Sequence, residues 1–215
     1  MDLYPDIHII KNTFVYQYLI TGTEGLLLID TGLGGNHKRI LKQIQQLGFK
    51  PEDLKQIIIT HADGDHYGSL ADLKKYTQAI SYAHPIEAEA IKSGGSSREL
   101  KPEGLQRILF SLIRPLLKTK PTTIDRHLAG GEHYDYLGGL EVIYTPGHTP
   151  GHLSLFSPSR KILFAGDSIN ISSGVPQPSA KGNTGDIAKA GQSFKQQMDL
   201  NPVAIFAGHG IWYKK

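Results

Sequence analysis

Apolar residues fall along this chain in short runs separated by glycine-rich breaks, and the two halves carry similar patterns. Phe14–Thr21 (FVYQYLIT) is β-branched and aromatic, Gly22–Glu24 is turn-like, and Gly25–Asp30 (GLLLID) is a continuous apolar run. Together they predict a hairpin leading into a buried strand. Thr31–Gly35 is a Gly-rich loop. Beyond it Ile40, Leu41, Ile44 and Leu47 recur at helical spacing, with Asn36 placed as N-cap and Gly48 as terminator. Gln56–Thr60 (QIIIT) predicts a second buried strand. Ser69–Tyr76 then reads as a short helix, Ala79–Tyr82 as a short strand, and Pro85–Ile91 as a helix with Pro85 suited to its first turn.

After the flexible stretch 93–97 (SGGSS), Pro102–Lys118 shows helical spacing at Leu105, Ile108, Leu109, Leu112, Ile113 and Leu116, with Pro115 expected to kink or end the helix. Strands return at Leu140–Tyr144, Leu153–Ser157 and Lys161–Phe164. A Gly/Pro/Ser loop (Ser172–Gly185), a helix (Ile187–Met198) and a strand (Val203–Phe206) complete the pattern. No period repeats along the chain. Strands and helices mixed in two similar halves predict sheets covered by helices.

The 215 residues correspond to about one domain, large enough to bury a core without disulfides. With 39% hydrophobic and 20% charged residues, the composition excludes collagen-like, disordered and disulfide-rich classes. The net charge of +3 is too small and too evenly spread to argue for nucleic acid. There is no cysteine, which removes thiolate metal sites and Cys nucleophiles. The start of the chain (MDLYPDIHIIKN) carries acids where a signal peptide needs a basic run, and no apolar run approaches the ~20 residues of a membrane span. The sequence therefore reads as that of a soluble, cytoplasmic protein. Its unusual feature is ten histidines.

Four of the candidate ligands fall in one short stretch: His61, Asp63, Asp65 and His66, within Thr60-His-Ala-Asp-Gly-Asp-His-Tyr-Gly68. The stretch follows a buried strand, and Gly64 and Gly68 let the backbone turn so that several ligands can face one centre. Imidazole and carboxylate together suit Zn, Fe or Mn. The same design of a strand end followed by a Gly-flanked ligand recurs in Thr145-Pro-Gly-His148-Thr-Pro-Gly-His152, in Phe164-Ala-Gly-Asp167, and in Ala207-Gly-His209-Gly210. Each alone is a weak signal, and four in order are strong together.

These residues resemble the metallo-β-lactamase-fold hydrolases, the superfamily of glyoxalase II and the acyl-homoserine lactonases, from the Leu26–Gly32 strand to the final Gly208-His-Gly210. The resemblance implies an α/β αββα sandwich forming a single domain over 1–215, with residues 86–135 a helical insertion or lid. It implies two divalent metal ions, zinc in the first instance. His61 and His148 would hold one ion, Asp65, His66 and His209 the other, and Asp167 would bridge them. His152 would be structural, and Asp30 would brace the ligand loop. The implied chemistry is hydrolysis of a small-molecule ester, thioester or lactone by a metal-bridged hydroxide, with Asp65 orienting the nucleophile or relaying a proton.

The chain departs from the family's His-x-His-x-Asp-His loop at Asp63, which stands where a second histidine is usual. Two divalent ions and three carboxylates leave a formal +1, against +2 in the usual pattern, so bound water should be less acidified. An oxygen ligand also tilts preference towards iron or manganese. Flavodiiron proteins, another branch of the superfamily, carry an acid at this place, which raises a di-iron redox reading as an alternative. A phosphodiesterase or nuclease is another, although Lys181 and Lys189 make too little of a basic channel. His8, His37, His84, His127 and His133 are not expected among the ligands, His84 being placed near the pocket, and Tyr67 is expected to pack. Residues 86–135 show no readable chemistry.

Overall fold

The hairpin foreseen in the first thirty residues is the centre of a six-stranded sheet. The computed structural model describes residues 4–12, 15–98, 119–171 and 174–214. The first sheet runs in the order β1 (Ile7–Lys11), β2 (Tyr16–Gly22), β3 (Gly25–Ile29), β4 (Leu54–Ile58), β5 (Ile80–Ala83) and β6 (Arg126–His127). The second runs β14 (Gly210–Tyr213), β13 (Ala204–Ala207), β10 (Ile162–Gly166), β9 (Leu153–Ser157), β8 (Leu140–Tyr144) and β7 (His133–Tyr134). A small ribbon pairs β11 (Ile169–Asn170) with β12 (Gln177–Pro178). Among the described residues the helices are α1 (His37–Gln46), α2 (Gly64–Tyr67), α3 (Leu70–Leu73), α4 (Pro85–Lys92) and α5 (Ile187–Asp199).

The run GLLLI is apolar throughout because β3 is covered on both faces. Leu27 and Ile29 turn inward and pack with Ile58, Leu153, Leu155, Phe164 and Phe206 between the two sheets. Leu26 and Leu28 turn outward and pack with Ile40, Ile44, Leu70 and Ile91 of the helical layer. On the far side Leu163 and Ile205 meet Phe194 and Met198 of α5. Alternate residues of one strand thus feed two separate cores, which is the αββα sandwich expected from the sequence.

Several elements escaped the sequence reading. β1 and β14 lie at sheet edges with mixed burial, while β6, β7, β11 and β12 have two residues each and offer no periodicity to read. Asn36 does not cap α1 with its side chain; its Nδ2 donates to Gln17 Oε1 at 2.8 Å and to the Thr31 carbonyl at 3.1 Å, pinning the loop after β3. The expected helix over 102–118 lies outside the described residues. Within the block 86–135, α4 supplies Ile91 to the outer core, and β6 and β7 close the edges of the two sheets.

The topology sets where the chemistry sits. β3, β4 and β5 are mutually parallel, as are β10 and β13. Asp30, His61, Asp167 and His209 all follow the carboxyl ends of parallel strands, the edge at which open α/β sheets bind ligands. The β8–β9 loop brings His148 to the same edge. Cross-sheet hydrogen bonds lock the two halves together there: Leu153 N–H donates to the Thr60 carbonyl at 2.9 Å, and Tyr16 N–H to the Gly208 carbonyl at 2.8 Å.

Candidate metal centre

The stretch after β4 is not a loose loop. Gly64–Tyr67 closes one helical turn, with the His66 N–H donating to the Asp63 carbonyl at 2.9 Å. The turn points Asp63, Asp65 and His66 along one wall. Gly68 is required at its end, because a Cβ there would lie 2.3 Å from the Gly64 carbonyl. Opposite, the register of β10 against β13 shifts between Phe164 and Gly166, a bulge that re-aims Asp167 into the cleft.

Seven side chains converge. Among the described residues potential ligand atoms form three groups: His61, Asp63 and His148; Asp65, His66 and His209; and His61, His66 and Asp167, the atoms of each group all within 4.8 Å of one another. Asp167 stands in the middle. Its Oδ1 is 3.3 Å from His66 Nε2, and its Oδ2 is 3.2 Å from His209 Nε2, 3.7 Å from His148 Nε2 and 4.0 Å from His61 Nε2. Asp63 Oδ2 lies 3.2 Å from His148 Nε2 and 3.6 Å from His61 Nε2, and Asp65 Oδ2 lies 3.5 Å from His209 Nε2. A tetrahedron with metal–ligand arms of about 2.0–2.1 Å has edges of about 3.4 Å, so these separations are of the size that two shared ions would require.

Hydrogen bonds fix which ring nitrogen faces the centre. Asp30 accepts from Thr60 N–H and from Thr60 Oγ1, both at 2.8 Å. The single Thr60 hydroxyl proton is therefore committed to Asp30, and Thr60 Oγ1 must accept from His61 Nδ1, 2.9 Å away. His61 Nε2 is left as a lone pair facing the cleft. His66 Nδ1 donates to Asp30 Oδ2 at 2.8 Å, leaving its Nε2 facing inward as well. One buried carboxylate thus orients two histidines. His148 Nδ1 is held by Ser179 Oγ at 2.9 Å. His61 Nε2, His66 Nε2 and Asp167 Oδ1 are buried and have no hydrogen-bond partner among the described residues. Buried polar atoms left without a partner, aimed at one point from a His/Asp donor set, fit divalent metal ions.

The charges of the metal-free centre agree with that fit. Burial works to raise the Asp63 and Asp167 carboxyls, but histidine partners overcome it and hold both well below the usual range, with Arg98 adding to the effect on Asp63. Burial works against a charge on His66, yet Asp167 and Asp30 on either side raise it well above the usual imidazole value. Burial pushes His148 and His152 down, so both are neutral.

His152 lies outside the ligand groups. The Asp167 N–H donates to its Nε2 at 3.1 Å, so its Nδ1 carries the proton and donates to Thr145 Oγ1 at 2.8 Å. It supports the backbone that presents Asp167. His37, His84, His127 and His133 join no ligand group among the described residues; His84 caps α4 and stacks on Tyr144. Tyr67 is buried, and its hydroxyl donates to the Gly95 carbonyl at 2.7 Å.

The block 86–135 does reach the centre, contrary to the sequence reading. Glu87 is fully buried and accepts from the backbone N–H of Ala62 at 2.7 Å and of Gly151 at 2.8 Å, tying two ligand loops together. Ser97 adds a third bond to the same carboxylate. Arg98 Nη2 lies 2.7 Å from Asp63 Oδ2, and Ser96 Oγ donates to Asp63 Oδ1 at 2.6 Å. Arg98 adds a positive charge beside the three carboxylates of the centre. A buried acid at the start of a helix and a Ser-Ser-Arg in a Gly-rich break carry no spacing signal that links them to His61.

Residues 10–209 match the profile of the Metallo-beta-lactamase superfamily. The uncharacterized protein YobT of Bacillus subtilis is 33% identical over 207 residues, covering 90% of this chain and 82% of that protein. An N-acyl homoserine lactonase of Bacillus cereus is 28% identical over 173 residues, covering 70% of this chain and 60% of the lactonase. Among solved structures, a Cronobacter sakazakii metallo-β-lactamase with a HARLDQ motif superimposes with a TM-score of 0.71 at 25% identity, covering 98% of this chain and 77% of that one. No helix among the described residues is long and apolar enough to cross a membrane.

Proposed function

This chain belongs to the metallo-β-lactamase superfamily and is a hydrolase, and on that footing we propose that it cleaves small-molecule esters, thioesters or lactones at a dinuclear centre. The observation that carries this reading is the geometry around Asp167, where the ligand groups of both halves meet at one largely buried carboxylate. His61, Asp63 and His148 would hold one ion, Asp65, His66 and His209 the other, with Asp167 shared. When bound, the ions would polarise the substrate's carbonyl oxygen and activate water for attack.

The chain's own residues set the direction of approach. His61 and His66 are fully buried, whereas His209 and Asp65 retain 37% and 23% side-chain exposure. Substrate therefore enters on the Asp65–His209 side. Asp65 is the carboxylate at that mouth, placed to orient the attacking water and to accept its proton. The Asp30–Thr60–His61 and Asp30–His66 hydrogen bonds hold the ligand rings still, so little reorganisation accompanies turnover. The resemblance of the lactonase to this chain supports a lactone among the substrates.

The test is metal analysis of the purified protein followed by a screen of generic esters, lactones, thioesters and phosphodiesters. The expected result is carbonyl-ester, thioester or lactone hydrolysis that is abolished by a chelator and restored by zinc, manganese or iron. Turnover of phosphodiesters alone would overturn the substrate class. Oxygen consumption by an iron-loaded protein, without hydrolysis, would replace it with the redox alternative.

A further inference from the structure

Asp63 occupies a position where the family's usual loop carries a neutral imidazole, and a cation stands directly against it. Arg98 Nη2 is 2.7 Å from Asp63 Oδ2, and the two side chains retain only 14% and 10% exposure. Ser96 Oγ holds the other oxygen at 2.6 Å. The second arm of the guanidinium, Nη1, donates to the Asn183 carbonyl in the turn Lys181–Asn183. Arg98 is thereby fixed between the loop after β4 and the long connection from β12 to α5.

We propose that Asp63 and Arg98 act as one neutral unit in place of the missing imidazole, with Arg98 a positioning residue that both aims the carboxylate and cancels its charge. The proposal rests on the metal-dependent reading above. Arginine remains charged at any working pH, and its fork suits a carboxylate. Asp63 Oδ2 has more than one lone pair, so it can accept from Arg98 while still facing the centre, where it lies 3.2 Å from His148 Nε2 and 3.6 Å from His61 Nε2. Counting the arginine returns the formal balance of the centre from +1 to +2, the value of the usual histidine pattern. Ligating carboxylates need an outer partner of this kind to keep their orientation.

A consequence separates this proposal from a bystander salt bridge: positions 63 and 98 must be coupled. An imidazole at 63 calls for a neutral residue at 98, and Asp63→His alone leaves an uncompensated guanidinium beside the bound ions. The experiment is a cycle of four full-length proteins, the parent, Asp63→His, Arg98→Met and the double variant. Zinc stoichiometry and affinity are measured by chelator competition, with a thermal melt of each metal-free protein as the folding control. Asp63→His should weaken one of two zinc equivalents by on the order of tenfold or more, and adding Arg98→Met should restore most of the loss. Asp63→Asn, with and without Arg98→Met, provides a near-isosteric second pair if the imidazole crowds the loop. Additive effects in both pairs, with two zinc ions bound throughout, would overturn the neutral-unit proposal while leaving the dinuclear reading intact. A parent protein that takes up no divalent metal would instead overturn that reading and this proposal with it.

Discussion

Asp30 shows how much one residue can decide. It has φ of 60°, in the left-handed region that aspartate and asparagine tolerate better than other non-glycine residues. That conformation ends β3 and turns the carboxylate beneath the ligand loop, where it accepts from Thr60 N–H, Thr60 Oγ1 and His66 Nδ1. Asp30→Asn keeps the backbone preference but replaces one acceptor oxygen by a donor, so either His66 or Thr60 loses its partner. Affinity for zinc, measured by chelator competition, is expected to fall about 10- to 100-fold, with the circular dichroism spectrum unchanged. The role of Asp30 as a brace was legible in the sequence through the family resemblance. The sharing of one carboxylate by two histidines was not, because the bond to His66 spans 36 positions.

Elements set tolerances that no single residue reveals. The turn between β13 and β14 passes so close to the centre that a Cβ at Gly208 would lie 2.2 Å from Asp167 Oδ1 and 2.6 Å from His66 Cε1. The Gly-His-Gly sequence therefore does more than make a turn, since its first glycine is the space that Asp167 occupies. Gly208→Ala is expected to displace Asp167 and reduce kcat/KM by about a hundredfold. Its urea unfolding midpoint should move far less than that of a core truncation such as Leu28→Ala, which should cost about 2–5 kcal/mol. Unfolding curves of the two variants beside the parent check both statements. The strands β3, β4, β8 and β9 were legible because they are long and apolar; the short edge strands were not, because pairing with a distant neighbour creates them.

For the whole molecule, the edge that carries the candidate centre is a seam between two sheets, and its stability follows the protonation of the groups gathered there. Tyr18 of the first sheet donates its hydroxyl to the Ala207 carbonyl of the second at 2.5 Å, one of the ties across the seam. In the metal-free protein burial keeps His148 and His152 neutral, below the usual imidazole value, so on unfolding they gain protons as the pH falls below about 6.5. The lowered carboxyls of Asp63 and Asp167 act in the same sense at still lower pH. Their stabilisation is present above the unfolded carboxylate value and lost as the pH falls through the folded one. His66, raised by Asp167 and Asp30 against its burial, acts in the opposite sense, but its stabilisation is fully present below about 6.5 and is lost only as the pH rises above that value. Between about 4 and 6.5 the two neutral histidines set the slope, so stability of the metal-free protein should rise with pH over that window. Urea unfolding at a series of pH values checks the sign, and a flat or falling curve would contradict the protonation states assigned to the centre.

The sequence by itself determined the family, the layered α/β fold and the seven residues that meet at the centre, because each candidate ligand follows a strand end within a few residues and strand ends are visible as breaks in apolar runs. It also marked Asp63 as the departure. What it could not determine was the company Asp63 keeps. Arg98, Ser96 and Glu87 reach the ligand loops from a segment with no periodic relation to them, and Asn183 reaches Arg98 across 85 positions. Charge at a buried site is a sum over neighbours in space, and only the packing of α4 and its following turn against the seam placed a cation beside that carboxylate.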